Sequence, residues 1–179
     1  MKDGVMVFFA RDPGAPSPPP LPLPPGMAVR VWRPGTTGLP PRGSRSPDNL
    51  VWWLLTAIGA FATRELAEFT VWQGDVRVHR LIVSPAWRRT PFMGTGDLEV
   101  GNIRTLPEAR GRRLTQAVVG EAHRLFGDGR RWWWVTRADN AASIAIAERC
   151  GYRRVGTGYK TRPLGIGLWG RYILNSSGA

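Results

Sequence analysis

An extended run, Leu98 to Thr105, ends at Leu106 and Pro107, breaks into a basic loop from Glu108 to Arg113, and passes directly into a helical pattern. Apolar residues recur there at Leu114, Ala117, Val118, Ala122, Leu125 and Phe126, the spacing of one helical face. The unpaired first-turn N–H groups and the positive end of the helix dipole converge on the loop, which makes it an anion cradle. Arg110, Arg112 and Arg113 add full charges to those partial ones. A phosphate-bearing ligand suits such a loop.

The strand that feeds the loop is itself irregular. Leu98 and Val100 share one alternation phase, while Ile103 and Thr105 fall in the other. A bulge around Gly101 and Asn102 would reconcile the two phases. After the loop-capped helix, residues 131–137 carry Trp132, Trp133, Trp134 and Val135 without a polar interruption, the pattern of a strand buried on both faces. Asp139 or Asn140 caps a further helix, and Gly151 suits its C′ position with Tyr152 packing back. Strands are predicted at 69–72 and 76–83 around a short Gly74 connection, and at 153–161 and 166–174. Residues 84–96, with two prolines and two glycines, read as a loop. Asp48 stands where an N-cap belongs, ahead of a helix over 50–61 that is apolar nearly all round. Such a helix should be well buried. A membrane-surface helix is the rival reading, but no basic face accompanies the apolar one.

Twelve of the 16 prolines fall within residues 13–47. Residues 1–45 are therefore expected to be a disordered, Pro-rich segment that the folded domain can lose, with 27–32 as a candidate first strand. A chain of 179 residues otherwise suits one domain. Its charge is lopsided, since residues 100–179 hold 14 basic and 5 acidic side chains, +9 of the net +12. The excess sits on the half that carries the anion cradle, and the phosphates of a coenzyme would account for part of it, as would nucleic acid, an anionic lipid surface or a nucleotide-linked sugar. A lone cysteine, Cys150, excludes an internal disulfide, and with only His79 and His123 beside it no metal-ligand set is visible. The apolar run 50–62 is too short to span a bilayer, and the patch 5–10 is cut off too early by Arg11 and Asp12 for a signal peptide. The cytoplasm is the expected location.

The basic loop resembles the signature of the GNAT superfamily of acyl-CoA-dependent N-acyltransferases, (Gln/Arg)-x-x-Gly-x-(Gly/Ala) within Pro-x-Tyr-Arg-Gly-x-Gly. Pro107, Glu108, Arg110 and Gly111 fit it. Downstream the superfamily carries Asn-x-x-(Ala/Ser), a helix and Gly-(Phe/Tyr), matched by Asn140, Ser143, Gly151 and Tyr152. The resemblance implies an α+β fold, a mixed and mostly antiparallel twisted sheet with a splayed central strand and flanking helices. The domain would span 46–174, followed by a tail over 175–179. Arg113 and Thr115 stand where the loop is normally small, a departure the turn tolerates if their φ is negative. Ala147 replaces the superfamily's frequent tyrosine, its usual proton donor.

The same resemblance implies acetyl-CoA as acyl donor and a small-molecule amine as acceptor, reacting by direct attack in a ternary complex. Ile103 and Thr105 would pair with the pantetheine amides as an extra strand does. Arg110, Gly111, Arg112, Arg113, Leu114 and Thr115 would hold the pyrophosphate, and Asn140 and Ser143 would line the pantetheine arm. Glu99 stands in the register where several members carry a carboxylate base, and Asp97 is the second choice. A carboxylate beside Leu98 and Val100 would have a raised pKa suited to that work, or would pair with a neighbouring arginine. Tyr159 is the first candidate for the proton donor, while Tyr152 belongs in the core and Cys150 is inert. Residues 91–94, residues 97–101 and the Trp-rich strand are similar to members in sugar and polysaccharide biosynthesis, which implies an amino-sugar acceptor. A homodimer is compatible with this reading, and no nucleic-acid partner is expected. Two other readings stay open: a non-catalytic acyl-CoA sensor, and a basic single-strand nucleic-acid binder that stacks bases on exposed Trp. An uninterrupted Trp132–Val135 run argues for burial against the latter.

Overall fold

The β-branched and aromatic runs of the chain become one eight-stranded sheet. The computed structural model describes residues 4–16, 21–40, 47–161, 163 and 170–176. Strands are β1 (Met6–Arg11), β2 (Met27–Trp32), β3 (Ala67–Gln73), β4 (Val76–Pro85), β5 (Leu98–Thr105), β6 (Trp132–Arg137), β7 (Arg153–Lys160) and β8 (Tyr172–Ser176). Helices are a single turn α1 (Pro34–Thr37), then α2 (Pro47–Ala57), α3 (Leu114–Phe126) and α4 (Ala141–Arg149). The sheet order is β2-β3-β4-β5-β6-β1-β7-β8, antiparallel throughout except for the β5–β6 pair. This is the α+β arrangement the resemblance implies. Strand β2 has the bounds read from the sequence.

Helices α3 and α4 pack on one face of the sheet. Leu114, Val118, Val119 and Ala122 of α3 and Ala147 of α4 share a buried cluster with Leu81, Val83, Leu98, Val100, Trp132 and Trp134. Each buried Leu or Val there contributes about 1.5–3 kcal/mol by leaving water, which is why the 3.6-residue period at 114–126 was readable. Only Leu125 of the predicted apolar face is exposed. Tyr152 lies in the core with its hydroxyl 3.0 Å from His123 Nε2. Helix α2 lies on the other face, where Trp52 and Leu55 pack against Phe61, Leu66 and Ile82. A buried polar cluster ties α2 to the sheet: Asn49 donates to Glu68 at 2.7 Å, and Glu68 pairs with Arg80 at 2.8 Å.

Four expectations need correction. Residues 1–45 are not a dispensable tail, because β1 runs through the sheet between β6 and β7 with all six residues buried. Its apolar run is continuous because both faces are covered, and Arg11 at its end is neutralised by Asp128 at 2.9 Å. Helix α2 begins at Pro47, so Asp48 sits in its first turn and pairs with Arg80 at 3.2 Å rather than acting as the cap. Nor is α2 well buried: Leu50, Val51 and Leu54 are exposed, as is Ile58 just beyond its end, because only one stripe of a helix can reach a flat sheet. At the C-terminus, β8 extends to Ser176, into the segment read as a tail. Of the last predicted strand, residues 166–169 lie outside the described residues.

Candidate functional site

The site grows from the irregular strand β5. Its pairing with β4 runs Val100↔Val83 and Gly101↔Ile82, then resumes at Arg104↔Arg80 with one extra residue on β5. Asn102 sits at that bulge with φ 51°, in the left-handed region that Asn tolerates better than most residues. The extra residue brings Ile103 onto the face already occupied by Leu98 and Val100, as the phase change in the sequence required. On its other side β5 pairs with β6 only from Leu98↔Trp132 to Val100↔Trp134. Beyond Val100 the two parallel strands are not paired, and the sheet opens.

A cavity of about 700 Å³ lies at this opening on the α4 side, lined by Ile103, Thr105, Arg110, Asn140 and Ser143. Asn140 caps α4, its Oδ1 accepting from the Ser143 N–H at 3.1 Å. Ser143 Oγ in turn accepts from Trp134 Nε1 at 3.0 Å, so the cap and the strand position each other. The sequence reading missed His79, which lines the same cavity from β4. Its Nδ1 meets Thr105 Oγ1 at 2.8 Å, and its buried Nε2 has no hydrogen-bond partner among the described residues. Burial pushes its pKa down to about 4, so the ring is neutral at physiological pH. A lone histidine in an apolar-periodic strand carries no signal of such a role.

The basic loop forms its own smaller cavity of about 160 Å³, lined by Arg110, Gly111, Arg112, Arg113, Leu114 and Thr115. Pro107–Ala109 makes a 3-10 turn, Gly111 takes φ 76°, and Arg113 sits at the N-cap of α3 with φ 55°. The expected negative φ therefore does not hold at Arg113. The chain turns into α3 through an arginine in the left-handed region, at a cost of about 1–2 kcal/mol. Arg113 makes no side-chain cap to α3, so first-turn N–H groups remain directed at the cavity. Arg149, from the last turn of α4, lines the same cavity and was not singled out from sequence.

On the opposite face, a third cavity of about 390 Å³ is lined by Glu99, Gly101 and Asn102 of β5, Val135 of β6, and Trp52, Trp87, Arg89, Lys160 and Tyr172. Burial pushes the Glu99 carboxyl up to about 7, against the opposing pull of Arg89 and Lys160. Tyr159 does not line this cavity. Its strand neighbour Lys160 does, and successive residues of a strand point to opposite faces. Asp97, the second choice for a base, is committed elsewhere: its Oδ2 accepts from Trp133 Nε1 at 2.7 Å and from the Gly94 N–H at 2.8 Å. Cys150 is buried, which pushes its thiol up to about 12. Trp132, Trp133 and Trp134 are all buried, so that run offers no stacking platform for bases. No helix among the described residues is long and apolar enough to cross a membrane.

No protein-family model matches the sequence, and no curated protein matches it. Solved structures do. A GCN5-related N-acetyltransferase from Sphaerobacter thermophilus superposes with a TM-score of 0.58 at 15% identity, over 88% of this chain and 51% of that one. A tandem GNAT protein from the clavulanic acid biosynthesis pathway gives 0.54 at 13% identity, over 84% and 50%. A GCN5-related N-acetyltransferase from Kribbella flavida gives 0.52 at 16% identity, over 88% and 57%. The chain spans about half the length of these neighbours. The GNAT fold is thus established for it.

Proposed function

We propose that this protein, having the fold of the GCN5-related N-acetyltransferases, moves an acetyl group from acetyl-CoA to a small-molecule amine. The observation that carries the reading is the opening after Val100. It is flanked on one face by a basic, helix-terminated cradle and on the other by a half-buried carboxyl.

The residues suit the coenzyme. First-turn N–H groups of α3, with Arg110, Arg112 and Arg113, would hold the pyrophosphate, and Arg149 joins them. Unpaired main-chain groups of Ile103 and Thr105 would hydrogen-bond the pantetheine amides, with Asn140 and Ser143 on the facing wall. The unsatisfied His79 Nε2 gives that wall one more polar atom for the same arm. When bound, acetyl-CoA supplies an acetyl group activated as a thioester.

Glu99 then removes the proton that the amine sheds as its lone pair forms the new C–N bond and the thioester C–S bond breaks. A carboxyl that titrates near 7 is ionised in part at neutral pH and strong enough as a base to accept that proton. Tyr172, which lines the cavity with Glu99, takes the donor role in this reading in place of Tyr159.

Calorimetric titration with acetyl-CoA tests the reading. Binding should weaken as salt rises, because part of it is screened charge. Replacing Arg112 and Arg113 together with Ala should cost about 1–3 kcal/mol of binding. A folded protein that fails to bind millimolar acetyl-CoA would overturn the proposal.

A further inference from the structure

The cavity around Glu99 is not built for a plain amine. Among the described residues two cations, Arg89 and Lys160, line it with a single carboxyl, so its charge is net positive whether or not Glu99 is ionised. An acceptor approaching as an ammonium ion would be repelled by that balance unless it brought a negative charge of its own. The state of Arg89 points the same way. Its guanidinium lies over the rings of Trp87, at 5.1 Å, and Tyr172, at 5.7 Å. Its buried Nε–H has no hydrogen-bond partner among the described residues. An anion in the cavity would bring a counter-charge to the guanidinium that lines it.

The remaining wall is aromatic. Trp52 and Trp87, 6.0 Å apart, stand on Phe61 and continue the apolar cluster beneath α2. A volume of about 390 Å³ suits a small molecule rather than a polymer. From these features we infer that the acceptor is an amino acid or a similar amino-carboxylate, its carboxylate held by Arg89 and Lys160 and its apolar side chain resting against Trp52 and Trp87. The inference rests on the acyl-transfer reading above. It differs from the amino-sugar acceptor implied by the sequence, since an amino sugar without an anionic group brings no counter-charge to Arg89 and Lys160.

The test separates the two. N-acetyl-L-phenylalanine, a product of the proposed class, and its carboxamide are titrated into the full-length protein, with acetyl-CoA titrated separately. The acid should bind about 10- to 100-fold more tightly than the amide, the effect of one or two charge-assisted hydrogen bonds. Arg89→Gln should abolish most of that preference and leave acetyl-CoA affinity within about twofold, and Lys160→Gln repeats the test should Arg89→Gln fail to fold. Turnover is then compared for phenylalanine, phenylalaninamide and O-phosphoethanolamine, with the acid preferred. Equal binding of acid and amide, binding of neither, or preference for the phosphate-bearing amine overturns the carboxylate assignment. None of those outcomes touches acetyl-CoA binding, whose loss would instead overturn the acyl-transfer reading.

Discussion

Glu99→Gln is the change that most sharply separates a catalytic carboxyl from a structural one. In the folded protein Glu99 titrates near 7, against a usual value of 4.5. At about 1.4 kcal/mol per pH unit, carrying the charge there costs the fold about 3 kcal/mol, with the pull of Arg89 and Lys160 already included. That figure is an upper bound, because the side chain is only half-buried and water reaches it from the cavity. The sign follows from proton counting. Below pH 4.5 both folded and unfolded states hold the proton, and Glu99 contributes nothing. Between 4.5 and 7 the unfolded chain releases it while the fold retains it, so wild-type stability falls as pH rises and levels off above 7. Glutamine keeps the shape and cannot ionise. The variant should match wild type at pH 4.5 and exceed it by up to about 3 kcal/mol at pH 8, or about 6–12 °C in melting temperature. Meanwhile its rate per folded molecule should drop about 10²- to 10⁴-fold with acetyl-CoA affinity nearly unchanged. Thermal melts at the two pH values and steady-state kinetics check both halves. A variant less stable than wild type at pH 8, with its rate intact, would refute the reasoning and mark Glu99 as an ion-pair partner. A sensor would show the stability effect and no turnover to lose.

Deleting residues 1–11 removes β1 from between β6 and β7, and it should leave a protein without a cooperative melting transition or dispersed amide resonances. At Gly158 of β7, an added Cβ would overlap the Ile173 carbonyl oxygen and lie 2.9 Å from Phe8. Gly158→Ala should therefore cost about 3 kcal/mol or more in urea unfolding, since backbone on a neighbouring strand cannot yield as a side chain does. Arg113→Gly should retain α3 and raise stability by up to about 1 kcal/mol, because glycine adopts the left-handed turn without penalty, while weakening acetyl-CoA binding.

Much of the site was legible because it is local. The bulge at Asn102 announced itself as a change of alternation phase within eight residues, and the cradle as a strand, a glycine turn and a helix start in succession. The burial of Trp132–Trp134 followed from an apolar run with no polar face to offer water. The fate of β1 was not local. Six apolar residues followed by a proline-rich stretch are too few to carry a period, and only the vacancy between β6 and β7 makes them a strand. Likewise nothing near Arg89, Lys160 or His79 in the sequence marks them. Strand pairing and the packing of α2 bring the first two beside Glu99, and the β4–β5 register sets His79 against Thr105. Residues far apart in the chain acquire shared chemistry only when the sheet aligns them, because charge and hydrogen bonding act over a few ångströms of space rather than along the sequence.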